Sequence, residues 1–188
     1  LAGRLRLGFP SERIVYMLPL ILPEFQKRYP GIRVETMTGS GKRLMEALLA
    51  GDADFILLPV WKKHRGVAQR RISEEELVLA AARGYLKEED LLDRERNIFN
   101  WARIEKYPLI TLKEGHVLRD SVDTLLRGSG KKARVLLEFH SNMLACRLAA
   151  QGLGVAVVPE ITPSMLADTE NLEFYHLAEH PVTWEIHA

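Results

Sequence analysis

The 188-residue sequence predicts an α/β protein with parallel strands, and three observations carry that prediction. Two cassettes, residues 29–55 and 141–159, each read as a helix that stops at a glycine and feeds a short, wholly apolar strand. A strand without polar alternation must be covered on both faces, which is how strands of parallel sheets read. Helix-like and strand-like segments also alternate along the chain, the pattern of a doubly wound sheet. Ligands of such open sheets bind beyond the carboxyl ends of the strands, so recognition of a small molecule is the first functional expectation.

Residues 5–9 read as the first strand, followed by the loop Pro10-Ser11-Glu12-Arg13. Ile14, Leu18, Leu22, Phe25 and Tyr29 recur at near-helical spacing and predict a helix with an apolar stripe. Pro19 and Pro23 interrupt it, so the residues by themselves predict a late start or a kink. Pro30-Gly31 ends this helix and residues 32–37 form the second strand. The loop Thr38-Gly39-Ser40-Gly41 opens a helix with Leu44, Met45, Leu48 and Leu49, capped at its end by Gly51. Its apolar surface is broad, which suits either a subunit interface or packing on its own sheet. Residues 55–58 read as the third strand, closed by Pro59.

Residues 61–75 read as irregular and polar, and residues 77–82 as a strand, although their alanines equally suit a helix. The charged stretch 86–105 predicts short helices. Residues 109–112 read as a strand, 117–127 as a helix ended by Gly128-Ser129-Gly130, and 134–139 as a strand. The second cassette follows. A short helix at 163–167 and strands near 172–176 and 183–186 complete the chain.

Composition narrows the function classes. An apolar fraction of 47% and a charged fraction of 27% are those of an ordinary globule, and a net charge of +1 argues against a strong field aimed at nucleic acid or an anionic membrane. The basic run Lys62-Lys63-His64-Arg65 with Arg70-Arg71, and the acidic Glu74-Glu75-Glu76, read as solvated edges. Single Cys146 excludes an internal disulfide and a multi-cysteine metal site, and suits a reducing compartment. No apolar run approaches the ~20 residues that span a bilayer. The abrupt opening and closing on strands suggest a piece of a longer protein.

Candidate chemistry is sparse. Gly39-Ser40-Gly41-Lys42-Arg43 lacks the phosphate-loop pattern, because Thr36 stands where glycine is needed and Arg43 where serine or threonine is needed. A seat for an anion at a helix N-terminus and a plain turn capped by Ser40 both fit these residues. Ser141-Asn142 opens a second helix in the same way, and Thr111 sits at another strand end. His176 and His180 do not align as metal ligands, and Cys146 lies among Leu144, Ala145, Leu148 and Ala149 as a small hydrophobe. No nucleophile elbow and no catalytic constellation is present, so no enzyme activity and no cofactor are expected.

These pieces resemble the effector-binding (substrate-binding) domain of LysR-type transcriptional regulators. The resemblance rests on residues 3–8, on Leu18-Pro19, Phe25 and Tyr29-Pro30-Gly31-Ile32, and on Gly39, Leu44, Leu48, Gly51, Asp54 and Ile56. It continues through Glu76-Leu77-Val78-Leu79, Tyr107-Pro108-Leu109-Ile110 and residues 149–159. Gly84-Tyr85-Leu86-Lys87 departs from the family, whose members commonly carry a histidine–proline pair there. The resemblance implies two Rossmann-like lobes joined by two crossover strands, a fold like that of type 2 periplasmic binding proteins. The lobes would be residues 1–82 plus 156–188, and residues 83–155. It also implies a helix that continues through the leucine–proline pair.

By the same resemblance a small effector contacts Ser11, Glu12, Arg13, Gly39, Ser40, Thr111, His140, Ser141 and Asn142. Glu12 would repel a simple anion unless Arg13 neutralises it or the effector carries an amine. The implied protein is cytoplasmic and forms a homodimer, or a tetramer at full length. It meets DNA only through a winged helix–turn–helix expected before Leu1, and no membrane is involved. The rival from another class is an extracytoplasmic solute-binding protein of a transporter, which shares this fold.

Overall fold

The computed structural model describes residues 2–59 and 64–188. Lys62 and Lys63 of the basic run lie outside the described residues. The chain divides into two compact units, residues 1–74 with 185–188, and residues 75–184.

The first unit is built on a three-stranded parallel sheet. Strand β1 (Gly3–Phe9) lies between β2 (Ile32–Thr38) and β3 (Phe55–Ile56). Helix α1 (Arg13–Arg28) joins β1 to β2 and runs unbroken through Pro19 and Pro23, without the late start or break that the prolines alone suggest. Val15, Pro19 and Pro23 recur four apart on an exposed stripe, so water can take the carbonyls that each proline leaves without an N–H partner.

Helix α2 (Gly41–Leu49) follows β2, and Gly51, at a φ of 76°, terminates it. Leu44 and Met45 are buried with Ala53, Ile56 and Leu58, so much of the broad apolar surface of α2 packs within its own unit. The apolar run 55–58 is not one strand. After Ile56 the chain leaves β1 and forms β4 (Leu58–Pro59), which pairs with β12 (Thr183–His187) through Ile186 and Pro59.

The second unit holds the larger sheet, with order β6-β7-β11-β5-β10-β8-β9. These strands are β5 (Arg71–Ala82), β6 (Leu91–Asp93), β7 (Ile98–Phe99), β8 (Pro108–Leu112), β9 (Arg134–Phe139), β10 (Val155–Pro159) and β11 (Leu172–His176). The stretch 86–105 holds the expected short helices as 3₁₀ helices at Glu88–Asp90 and Trp101–Lys106, with the unforeseen strands β6 and β7 between them. Alanines 80–82 adopt strand because β10 and β11 flank them, with Ala80 opposite both Ala156 and Phe174.

Every residue of β10 is buried, as its unbroken apolar run predicts. Helix α3 (Val117–Ser129) ends at Gly130 in the left-handed region, and α4 (Asn142–Ala150) presses Ala145, Cys146 and Ala149 onto Ile110, Ala156 and Val158. β10 lies between β5 and β8, which places residues 155–184 with the second unit. The division therefore falls at 74/75 and 184/185, not at the expected 82/83 and 155/156.

Candidate functional site

Parallel pairing decides which loops meet within each unit. In the first unit, β1 and β2 run in register from Gly3 opposite Ile32 to Phe9 opposite Thr38. The N–H of Gly39 then donates to the carbonyl of Phe9 at 3.2 Å. Ser11, Glu12 and Arg13 therefore emerge beside Gly39 and Ser40, at the carboxyl ends of neighbouring strands. Ser40 caps α2, its Oγ accepting from the N–H of Arg43 at 3.3 Å. The N–H groups of Gly41 and Lys42 at the first turn have no intrahelical acceptor, so this helix start presents donors and the positive end of its dipole.

Glu12 and Arg13 differ in placement. Ser11 is exposed and Glu12 half-buried, whereas Arg13 is 6% exposed at the first turn of α1. Its guanidinium donates to the Tyr16 hydroxyl and lies 5.6 Å from the Tyr16 ring centroid. A buried cation at the positive end of a helix dipole favours anionic company.

The second unit repeats the arrangement. In the parallel pair β8–β9, Thr111 lies opposite Glu138 and Leu112 opposite Phe139, and the N–H of Lys113 donates to the carbonyl of Phe139 at 3.0 Å. Thr111 is buried at the end of β8, His140 is exposed, and Ser141 and Asn142 are half-buried. Ser141 caps α4 by accepting from the N–H of Leu144 at 3.1 Å. The nine candidate residues thus fall into two clusters, one at strand ends of each unit.

One positioning residue has no sequence signal. Arg119 of α3 donates to the carbonyl of Leu112 at 3.0 Å, to Asp123 at 2.9 Å and to Glu138. It ties the ends of β8 and β9 to α3, and the Glu138 contact, ahead of Asp123, raises the guanidinium's affinity for its proton. The Asp123 contact is an i,i+4 pair within α3, but only the parallel register brings Leu112 and Glu138 to Arg119, and spacing along the chain cannot reveal those two.

Other candidates take structural roles. Cys146 is fully buried under the second sheet. His176 pairs with Glu76 at 2.7 Å, and among the described residues no cluster of histidine, cysteine and carboxylate side chains fits a metal ion. Among the described residues no helix is long and apolar enough to cross a membrane.

Comparison with known proteins sets these two clusters in a wider frame. A family model described as LysR substrate binding domain matches residues 1–188. A probable hydrogen peroxide-inducible genes activator of Mycobacterium leprae is 31% identical over 163 residues, 85% of this chain and 50% of that protein. The HTH-type transcriptional regulator SoxR of an Arthrobacter species is 26% identical over 178 residues, 95% of this chain and 56% of that protein. The chain thus spans about half the length of these curated relatives. Among solved structures, the CcmR regulatory domain of Synechocystis in complex with 2-PG superposes with a TM-score of 0.83. That match has 23% identity and covers 98% of this chain and 86% of the other, a likeness of fold.

Proposed function

The chain belongs to the family of LysR substrate-binding domains, and from that premise we propose that it is the effector-sensing part of a cytoplasmic bacterial transcriptional regulator, without catalysis. Its fold is the mixed α/β, type 2 periplasmic-binding-like fold that the resemblance implies. The effector is a small anionic or zwitterionic metabolite recognised by strand-end groups of both units. The observation that carries this reading is the repetition of one device: a serine-capped helix start beside a neighbouring strand end in each unit. Such starts favour negative groups, and buried Arg13 adds a cation to the first cluster. Half-buried Glu12 beside it suits an effector that also carries an amine.

An effector that engages groups of both units stabilises the conformations in which both sets reach it, and the populations shift accordingly. DNA is met by a separate N-terminal domain, in keeping with relatives whose names describe HTH-type regulators and of which this chain spans about half. These 188 residues can form no internal disulfide, because their one cysteine is buried Cys146.

A homodimer is supported by apolar side chains left on the surface of each unit. In the first unit these are Val15, Leu20 and Ile21 of α1; in the second they are Val135, Leu136 and Leu137 of edge strand β9. Leu20 is 77% exposed. Leu20→Glu and Leu136→Glu should each shift the sedimentation profile toward monomer, and a wild-type chain that stays monomeric at high concentration would remove the dimer.

The effector reading is tested by thermal shift with small carboxylates, amino acids and phosphate esters, then by calorimetry of any stabilising compound. Thr111→Ala should weaken that compound about fivefold, the worth of one net hydrogen bond. Unchanged affinity in both Thr111→Ala and Ser40→Ala would take these strand ends out of the site.

A further inference from the structure

Two short segments of the second unit, 96–98 and 176–181, line a half-open cavity of about 280 Å³ at the β7–β11 side of the sheet. Its wall is Arg96, Ile98, His176, Ala178, Glu179 and Pro181, none of which belongs to the strand-end clusters.

Backbone pairing fixes this wall. Asn97, at a φ of 51°, turns the chain into β7, and its carbonyl accepts from the N–H of His176 at 2.9 Å. Ile98 lies opposite His176 in the parallel pair β7–β11. The N–H of Arg96 donates to Asp93 Oδ1 at 3.0 Å, and Arg96 Nη2 donates to the carbonyl of Glu179 at 3.2 Å. The segments are thus joined at two points, and the guanidinium is held against the Glu179 backbone.

The two charges of the wall are not matched. The Arg96 guanidinium meets a neutral carbonyl, and among the described residues no carboxylate forms an ion pair with it. Among the same residues no cation pairs with the Glu179 carboxylate. Neighbouring charges are engaged elsewhere: Arg94 pairs with Glu88 at 2.8 Å, and Glu76 lies 2.7 Å from His176. A guanidinium carries five N–H donors in one plane and suits a carboxylate, so Arg96 keeps donors to offer. A ligand with one charge answers one of these two groups; a ligand with both charges answers both.

Ile98, Ala178 and Pro181 make the remainder of the wall apolar. A cavity of about 150 Å³ holds benzene, so this one admits a branched aliphatic group beside two charged ones. We propose that the cavity is a second ligand site, for a small α-amino acid zwitterion with a short aliphatic side chain. Its carboxylate meets Arg96, its ammonium lies toward Glu179 and its side chain packs on Ile98. The site does not depend on what the strand-end clusters bind.

L-Valine is the probe, and isovalerate and isobutylamine each keep its side chain with one of its two charges. In spectra of methyl-labelled isoleucine, the resonance that Ile98→Val removes is that of Ile98. L-Valine at about 5 mM, within the range of weak fragment affinities, should move this resonance and leave those of Ile32 and Ile56 in place. An ion pair in a half-open site changes affinity up to about fivefold. Arg96→Gln and Glu179→Gln, both at exposed positions, should therefore each weaken valine about fivefold, and isovalerate and isobutylamine should bind the unaltered chain as weakly. Thr111→Ala and Ser40→Ala should leave the Ile98 response unchanged. An unmoved Ile98 methyl at about 20 mM valine, isovalerate bound as tightly as valine, or full affinity in Glu179→Gln would each overturn the proposal. Loss of the response in Thr111→Ala would assign the valine to the strand ends and equally remove a second site.

Discussion

The two units follow one local grammar and close their cores differently. Each centres a parallel pair, β1–β2 or β8–β9, whose ends carry a serine-capped helix start. In the second unit a seven-strand path and the helices above it leave β10 wholly buried. In the first unit the sheet has three strands, and 16-residue α1 buries Arg13 alone while Val15, Leu20 and Ile21 stay exposed. The difference teaches that the strand-end device does not depend on a complete core. It needs only a parallel pair and a capped helix.

The largest expected effect compares one glycine from each unit. A Cβ on Gly154 would lie 2.3 Å from the backbone carbonyl oxygen of Pro108, although Gly154 has no positive φ. Backbone paired between β8 and β10 cannot yield, so Gly154→Ala should lower stability by about 3 kcal/mol in denaturant melts. A Cβ on Gly8 would meet the side chains of Ile56 and Leu44 at 2.8 and 2.9 Å, and side chains can shift where paired backbone cannot. Gly8→Ala should therefore cost about 1 kcal/mol. Equal losses would break the contrast between a rigid second unit and a yielding first one.

A second contrast concerns carboxylates. Asp90 is fully buried and accepts from Lys106 Nζ at 2.7 Å and from the Tyr107 hydroxyl. Burial pushes its carboxyl up, but these hydrogen bonds and the Lys106 charge outweigh it, and the group sits below its ordinary value. Tyr107 is pushed up to about 12, by burial and then by Asp90. Because the folded carboxyl binds its proton less readily than the unfolded one, Asp90 contributes stability at neutral pH that is lost as pH falls through the folded value. Asp90→Asn should cost about 2 kcal/mol at pH 7 and flatten the acid limb of the stability curve. Asp54, paired with Arg6 on the surface of the first unit, should leave that limb nearly unchanged when replaced by asparagine. An acid limb as steep in Asp90→Asn as in the wild type would contradict this assignment.

The caps should behave alike in both units, since each is one side-chain hydrogen bond to a first-turn N–H. Ser40→Ala and Ser141→Ala should each lower stability by about 1 kcal/mol by thermal or chemical melts. A much smaller loss at Ser40 would mean that α2 is held by packing rather than by its cap.

The smallest effect is on DNA. With a net charge of +1, the chain should show no retained binding by fluorescence anisotropy at roughly 0.2 M salt. Nanomolar, sequence-selective binding by residues 1–188 would assign DNA recognition to one of these units and end the division of labour proposed above.

Local signals determined the elements and the device at the strand ends. The stop at Gly51, the caps at Ser40 and Ser141, and the buried run of β10 follow from hydrogen bonding and solvation within a few residues. They were legible for that reason, whereas the set of residues at the ends of β1, β2, β8 and β9 was named by the family resemblance and not by local signals. Tertiary structure decided what depends on partners distant in sequence. It split residues 55–59 between β1 and β12, and made strand of alanines 80–82 by flanking them with β10 and β11. It also brought Pro108 against Gly154, Lys106 to Asp90 and His187 to Gln69. Register and close approach between separated segments are properties of the folded backbone, because a side chain's partner there is set by which strands align and not by its neighbours in the chain.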